Sequence, residues 1–209
     1  MGVYNEAWAQ NCLSFNDSVL SYLDAHTELR VVILGSKWRQ YFNDEGQDGF
    51  MVPSDADAPS VVVKTLDRSV VDTSVRALVT RITASGRKVL IVEPPPSANF
   101  DIYQCAQRKL EGLLYFGPSA NCQIDQVAAT LRDAGLSALL RTLKPLAGVQ
   151  SYSFNTLLCD GKSCRTELDN TTLYRDEGHF SPQGSRVIGS QSSLNASISA
   201  LLATATGKP

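Results

Sequence analysis

The sequence predicts an α/β protein, a three-layer α/β/α sandwich built around a mostly parallel sheet. Three observations predict it. The continuous apolar runs "RVVILG" and "KVLIVEP" have strand length and end in glycine or proline, as strands covered on both faces do. Segments with apolar residues at helical spacing lie before, between and after them. A composition of 43% hydrophobic and 19% charged residues over 209 positions is that of one globular domain, so residues 1–209 are read as a single domain.

Each element follows from its pattern. "CLSFNDSVLSYL" places Leu13, Val19, Leu20 and Leu23 at near-helical spacing and leads into the strand "RVVILG". "SVVDTSVRALVTRITASG" repeats the helical period through Val70, Val71, Val75, Leu78, Val79 and Ile82, stops at Gly86, and gives way to "KVLIVEP". The polar stretch "NDEGQDGFMVPSDADAPS" between these units reads as a surface excursion near a strand end. Helical patterns recur in "DIYQCAQRKLEGLLYF" and "QIDQVAATLRDAGLSALLRTL". The strand-like "VQSYSF" follows, then a last helix with Val187, Ile188, Leu194, Ile198, Leu201 and Leu202 on one side. Ligands of such sheets bind at the carboxyl ends of the strands.

Charge narrows the function classes. A net charge of −2 without a Lys/Arg cluster lacks the footprint that phosphate backbones require, so no nucleic-acid partner is expected. No apolar run approaches the roughly 18 residues of a membrane span. "MGVYNEAWAQNCLSF" is polar from the start, so an export signal is expected only upstream of this chain.

Five cysteines add a redox reading. In "LLCDGKSC" the Asp160-Gly161 turn dipeptide can fold the chain back and join Cys159 to Cys164. Cys105 and Cys122 form a second candidate pair, which leaves Cys12 unpaired and suggests an oxidising compartment with a partner cysteine elsewhere. Buried free thiols in a cytosolic protein stay open as an alternative, because spacing does not fix connectivity. Zinc is the other rival, but ligand sets want a second Cys or His pair, and His26 and His179 lie far apart in the sequence; no metal is expected.

The chemistry concentrates in "LYRDEGHFSPQGS". Ser181 and Pro182 read as the N-cap and first position of the last helix, so His179 sits on the loop before it. Asp176, three residues earlier, can accept the Nδ1 proton and leave Nε2 free as a general base, the arrangement of a Ser-His-Asp triad. A histidine held in a loop by ordinary hydrogen bonds is the bland alternative. His26 takes the bland reading outright, as an exposed residue near a helix end.

"LLCDGKSCRTELDNTTLYRDEGHFSPQGSRVIG" resembles the C-terminal signature of the SGNH domains fused to membrane acyltransferases of acyltransferase family 3, sugar O-acetyltransferases of bacterial envelopes. The likeness carries the cysteine pair, the Leu-Tyr-x-Asp-x-x-His order and the following Ser and Gly. "CLSFNDSVLSYL", "RVVILGSKWRQYF" and "KVLIVEPPPSANFDIYQC" resemble upstream segments of the same domains, so the resemblance covers nearly the whole chain.

The resemblance implies an SGNH (flavodoxin-like) fold with Asp176 and His179 as acid and base of the triad. It implies Gly35 as an oxyanion donor through its N–H, with Asn99 as a candidate for the oxyanion asparagine and a plain turn asparagine as the alternative. Trp38 is a candidate apolar or sugar-stacking wall near the site, with a core tryptophan after a buried strand as the bland alternative. The family's Gly-Asp-Ser block, followed by histidine on the first strand, occurs nowhere in the 209 residues. The family pattern puts it ahead of the Cys-x-x-Phe-Asn helix. The domain is therefore expected to be N-terminally incomplete, lacking its first strand, with the nucleophile and the partner of Cys12 in the missing part. Ser36, at a strand end, is the substitute nucleophile weighed against that reading; Ser18 matches the block only in letters and lies inside a helical pattern.

The expected function is the extracytoplasmic domain of an envelope O-acyltransferase at the periplasmic side of the bacterial inner membrane. An acyl-serine would pass acetyl to a hydroxyl of an envelope polysaccharide or peptidoglycan sugar. No cofactor is expected in this domain; acetyl-CoA would be an indirect donor through an N-terminal membrane acyltransferase partner domain. A stand-alone SGNH esterase and a non-catalytic carbohydrate-binding or interaction module are the alternatives. Without its nucleophile this chain alone is expected to be inactive.

Overall fold

The computed structural model describes residues 6–42, 50–55, 58–64, 68–113 and 121–205. Its centre is a parallel sheet of three strands, β1 (Val31–Gly35), β4 (Lys88–Val92) and β6 (Val149–Tyr152), in the order β1-β4-β6. Gly35 pairs with Val92, and Val92 with Tyr152, so the three carboxyl ends lie side by side.

β4 shows why the sheet is covered on both faces. Successive side chains of a strand point to opposite sides. Val89 and Ile91 pack with Val79 and Ile82 of α2 (Arg68–Ala84) and with Leu136, Leu139 and Leu143 of α5 (Ala134–Leu143). Leu90 packs on the other side with Tyr152 and Leu201, the latter from α8 (Leu194–Thr204). The result is a mixed α/β fold of three layers, as its alternating pattern implies. Burying each of these aliphatic side chains is worth about 1.5–3 kcal/mol, which makes β4 the anchor of the sheet.

α1 (Glu6–Ala25) is tied to this core at its end. Arg87, 6% exposed, donates to the carbonyls of Leu23, in the last turn of α1, and of His26 and Leu29 just past it (3.0 Å for Leu29), tying the helix end to the start of β4. His26 pairs with Glu28 at 2.8 Å, an ordinary surface role.

The structure differs from the sequence reading at several elements. β1 is an edge of the described sheet and is covered only in part: Val32 and Leu34 pack toward α2 and α5 and Val31 toward α8, while Ile33 is 48% exposed. The excursion at 43–60 contains β2 (Phe50–Asp55) and the start of β3 (Ala58–Lys64), an antiparallel pair; its first part, 43–49, lies outside the described residues. The pattern at 101–116 yields only α3 (Ile102–Leu110), which stops before Gly112 at φ +69°; 114–116 lie outside the described residues.

The pattern at 123–143 is two helices, α4 (Gln126–Arg132) and α5, parted at Asp133, whose φ of −97° and ψ of 10° break the helical run. The last helix likewise divides into α7 (Pro182–Gln191) and α8 at Ser192, where ψ swings to 154°. Four short strands escaped the periodicity: β5 (Ile124–Asp125) with β7 (Ser163–Cys164), and β8 (Glu167–Leu168) with β9 (Thr171–Thr172), all antiparallel. A single turn, α6 (Asn155–Leu158), joins β6 to this region.

Both candidate disulfides are formed, Cys105–Cys122 and Cys159–Cys164, and Cys12 is free. The Asp160-Gly161 turn works as its sequence implies. Gly161 takes φ +99°, and the Asp160 carboxylate accepts the amides of Lys162 at 2.9 Å and Ser163 at 2.8 Å.

Candidate active site

The turn that carries Asp176 and His179 is closed from below. Tyr174 and Phe180 pair as an antiparallel bridge, and the Arg175 amide donates to the His179 carbonyl at 2.9 Å. Tyr174 is fully buried with Leu173, Ile102, Ile124 and Leu158, and its ring lies 5.2 Å from that of Phe180. An apolar floor therefore fixes both ends of the loop at 175–179.

Within the loop the Asp176 carboxylate organises the backbone. Its Oδ1 accepts the amides of Gly178 at 2.9 Å and His179 at 2.7 Å, and the His179 Nδ1–H donates to Oδ2 at 2.9 Å. Burial alone would raise the Asp176 carboxyl, but the two amides and the imidazole outweigh it and hold the group below the usual carboxylate range. A carboxylate that stays ionised keeps the proton on Nδ1, so Nε2 retains its lone pair. Nε2 makes no protein hydrogen bond among the described residues, and the His179 side chain is 55% exposed. The Nε2 edge is open to solvent, and the Asp176 carboxylate orients the ring from behind.

The helix that follows is placed by three contacts. The Ser181 hydroxyl accepts the Gly184 amide at 2.9 Å and donates to the Thr172 carbonyl at 3.1 Å, while its own amide donates to Leu173 at 2.8 Å. Ser181 is thus the N-cap of α7 and Pro182 opens the helix.

The loop docks on the exit of β4. The Ala98 amide donates to the Glu177 carbonyl at 2.8 Å, and a Cβ on Gly178 would stand 3.2 Å from the Ser97 Cβ and 3.6 Å from Arg39 Nη1. Arg39 belongs to the 3₁₀ turn Trp38–Tyr41 just past β1, so the carboxyl-end segments of β1 and β4 meet the histidine turn here.

Of the other candidates, Gly35 is the exposed last residue of β1 and Ser36 is the exposed residue after it. Ser36 and His179 share no hydrogen bond among the described residues. Asn99 is exposed on the rim, one residue past Ala98. Trp38 is not a wall. It is 5% exposed, packed with Val79 and Leu136, and its Nε1–H donates to the Val92 carbonyl at 3.0 Å, so no ring face is open to a sugar. Ser18 donates to the Ser14 carbonyl inside α1, an ordinary helical role.

Two residues essential to the arrangement went unread in the sequence. Arg39 forms a paired contact with Asp133, and Arg132 donates to the carbonyl and hydroxyl of Ser97. No motif marks them, because their partners lie 94 and 35 positions away. Surface recesses of about 540 Å³ along β6 and 420 Å³ beside Cys122 are lined by neither Asp176 nor His179. Among the described residues no three His, Cys, Asp or Glu side chains gather as a metal site requires, and no helix is long and apolar enough to cross a membrane.

Residues 2–192 match the family described as SGNH domain (fused to AT3 domains). The chain is also similar in fold to a solved structure, the periplasmic domain of a lipopolysaccharide acetyltransferase from Salmonella ser. Paratyphi A, with a TM-score of 0.53 and 14% identity. That likeness covers 85% of this chain and 62% of the Salmonella chain, so this chain spans less than two thirds of that domain's length. No curated protein matches it.

Proposed function

Because the chain belongs to the SGNH domain family of the type fused to AT3 domains, we propose that it supplies the acid–base half of an O-acetyl transfer to an envelope sugar. The observation that carries this reading is the Asp176–His179 pair, held by two backbone amides at the carboxyl ends of parallel strands. An imidazole oriented in this way takes the proton of a serine hydroxyl as that oxygen attacks an acyl carbonyl. It then returns the proton to the leaving group. In the second half-reaction it takes the proton of a sugar hydroxyl, whose oxygen attacks the acyl-serine carbonyl; as the serine–acyl bond breaks, the imidazole returns that proton to the serine oxygen and the sugar leaves acetylated.

Backbone amides near Gly35 are the proposed oxyanion donors, with Asn99 on the rim as a second. The serine is proposed to come from a Gly-Asp-Ser segment outside these 209 residues, since that tripeptide is absent from them and Ser36 is not engaged with His179. An acetyl group would reach it through a membrane acyltransferase domain, with acetyl-CoA only an indirect donor and no cofactor held in this domain. The two disulfides and the likeness to a periplasmic domain support an extracytoplasmic setting.

The test is acetyl transfer to envelope oligosaccharides by a form that carries both the Gly-Asp-Ser segment and the membrane domain, followed by mass spectrometry. His179→Ala is expected to lower kcat by about 10³-fold or more, and Ser36→Ala to leave it unchanged. Loss of transfer on Ser36→Ala would place the nucleophile in this chain and overturn the assignment. Release of acetate to water with no transfer to sugar would make the domain an esterase.

A further inference from the structure

The histidine turn is tied to the exit of β4 by the Ala98 amide on the Glu177 carbonyl, and Arg39 binds the same exit at Pro95. Arg39 follows β1 by four residues and is largely enclosed, its side chain 16% exposed. Its guanidinium fork meets Asp133 through Nε at 2.5 Å and Nη2 at 2.9 Å. Nη2 also donates to the Pro95 carbonyl at 2.7 Å, and Nη1 faces the space that a Gly178 Cβ would fill, 3.6 Å away. One planar group therefore binds the junction of α4 and α5 and the proline-rich exit of β4, and stands beside the turn that holds His179. Arg132 steadies the same exit from the other side through Ser97.

The neighbouring charges fit this role. Arg39 and Arg132 are close enough to repel, and Asp133 stands next to both. Arg39 also acts on the buried Tyr174 hydroxyl, which burial pushes up and the guanidinium partly pulls back.

We propose that Arg39 is a positioning residue: its fork, fixed on Asp133 and the Pro95 carbonyl, sets the distance and angle between the β4 exit and the turn carrying His179. The proposal rests on the acetyl-transfer reading for its kinetic consequence, but not for its geometry. Arg39 touches no reacting atom; it holds the surface on which Gly178 and Glu177 sit. The Asp176–His179 contact is local to the turn, so it persists when Arg39 is replaced, while the placement of the whole turn relaxes. A misplacement of about 1 Å is enough to cost about 10²-fold in rate.

The experiment uses Arg39→Met and, to avoid leaving the carboxylate without its partner, Arg39→Met combined with Asp133→Asn. In the 209-residue chain, NMR reads the contact between the Gly178 α-protons and the Ser97 β-protons, and exchange of the Ala98 amide bonded to Glu177. Both variants are expected to lose the contact and exchange Ala98 at least about 10-fold faster, with the His179 tautomer unchanged. In the acetyl-transferring form kcat is expected to fall about 10²-fold with KM unaltered, and Arg39→Lys, which keeps the charge without the fork, is expected not to restore it.

Retention of the Gly178–Ser97 contact and of Ala98 protection in folded variants would overturn the proposal, as would full activity in Arg39→Lys. If the unsubstituted form transfers no acetyl group, the functional reading fails, while the NMR comparison still decides the positioning role.

Discussion

Gly184 is the point at which the helix after His179 comes closest to the backbone beneath it, and Gly184→Ala tests that approach. A Cβ at this position would lie 2.6 Å from the carbonyl carbon and Cα of Leu173, atoms that cannot swing aside. Relief to an ordinary separation of roughly 3.5 Å requires α7 to retreat by about 1 Å. That motion stretches the Ser181 amide bond to Leu173 and the Ser181 hydroxyl bond to Thr172, now 2.8 and 3.1 Å. Overpacking costs about 1–3 kcal/mol. The weakened hydrogen bonds add about 1 kcal/mol, against a gain of about 1 kcal/mol from replacing a helical glycine.

The net loss is about 1–3 kcal/mol, or a fall in Tm of about 2–12 °C for a domain of this size. Gly189→Ala in the same helix is the control. Nothing stands within 4 Å of its Cβ, so only the propensity gain applies and Tm is expected to rise by about 2–4 °C. Thermal melting followed by circular dichroism reads both. If Gly184→Ala melts as high as Gly189→Ala, the close approach of α7 to Leu173 is refuted, and with it this account of how His179 is placed.

Three further outcomes follow from the same geometry. The Asp176 carboxyl is depressed in the folded state, so its contribution to stability is present above the unfolded value of about 3.9 and is lost as pH falls below it. The urea midpoint of Asp176→Asn should therefore lie below the unsubstituted value at pH 7 and converge with it below about pH 4; a constant gap would contradict the assignment. Replacing Cys105 and Cys122 by serine should cost about 3 kcal/mol and replacing Cys159 and Cys164 about 2, because the first pair closes the longer loop, at separations of 17 and 5. Urea unfolding of the two double variants checks the order. Trp38→Phe removes the donor to Val92 and leaves a gap in the core, an expected loss of about 2 kcal/mol, and a loss below about 0.5 kcal/mol would contradict its burial.

The parts of the fold that the sequence disclosed are those fixed by near neighbours. β4 was legible because a strand covered on both faces is apolar throughout, and the start of α7 because Ser181, Pro182 and Gly184 each do their work within one turn. The same is true of Asp176 and His179, whose contact spans three residues.

What stayed hidden depends on distant partners. β1 has the letters of a covered strand, yet it is an edge of the described sheet, which periodicity alone does not distinguish. The breaks at Asp133 and Ser192 leave the apolar spacing intact on either side, so one helix was read where two exist. The polarity of 43–60 marked it as a surface excursion, but a two-stranded antiparallel pair forms within it and on into Lys64. Trp38 carried two readings, a wall of the site and a core tryptophan after a buried strand, and the core one holds because its ring packs between α2 and α5.

Covalent labelling with a fluorophosphonate tests the central claim most directly. The reagent reacts only with a serine whose hydroxyl is activated by a neighbouring base. In the form that carries the Gly-Asp-Ser segment, peptide mass spectrometry should find the label on that segment's serine. Its rate should fall by about 10³-fold or more in His179→Ala, because the base is removed. Labelling that proceeds at the same rate in His179→Ala, or that falls on Ser36, would contradict the account.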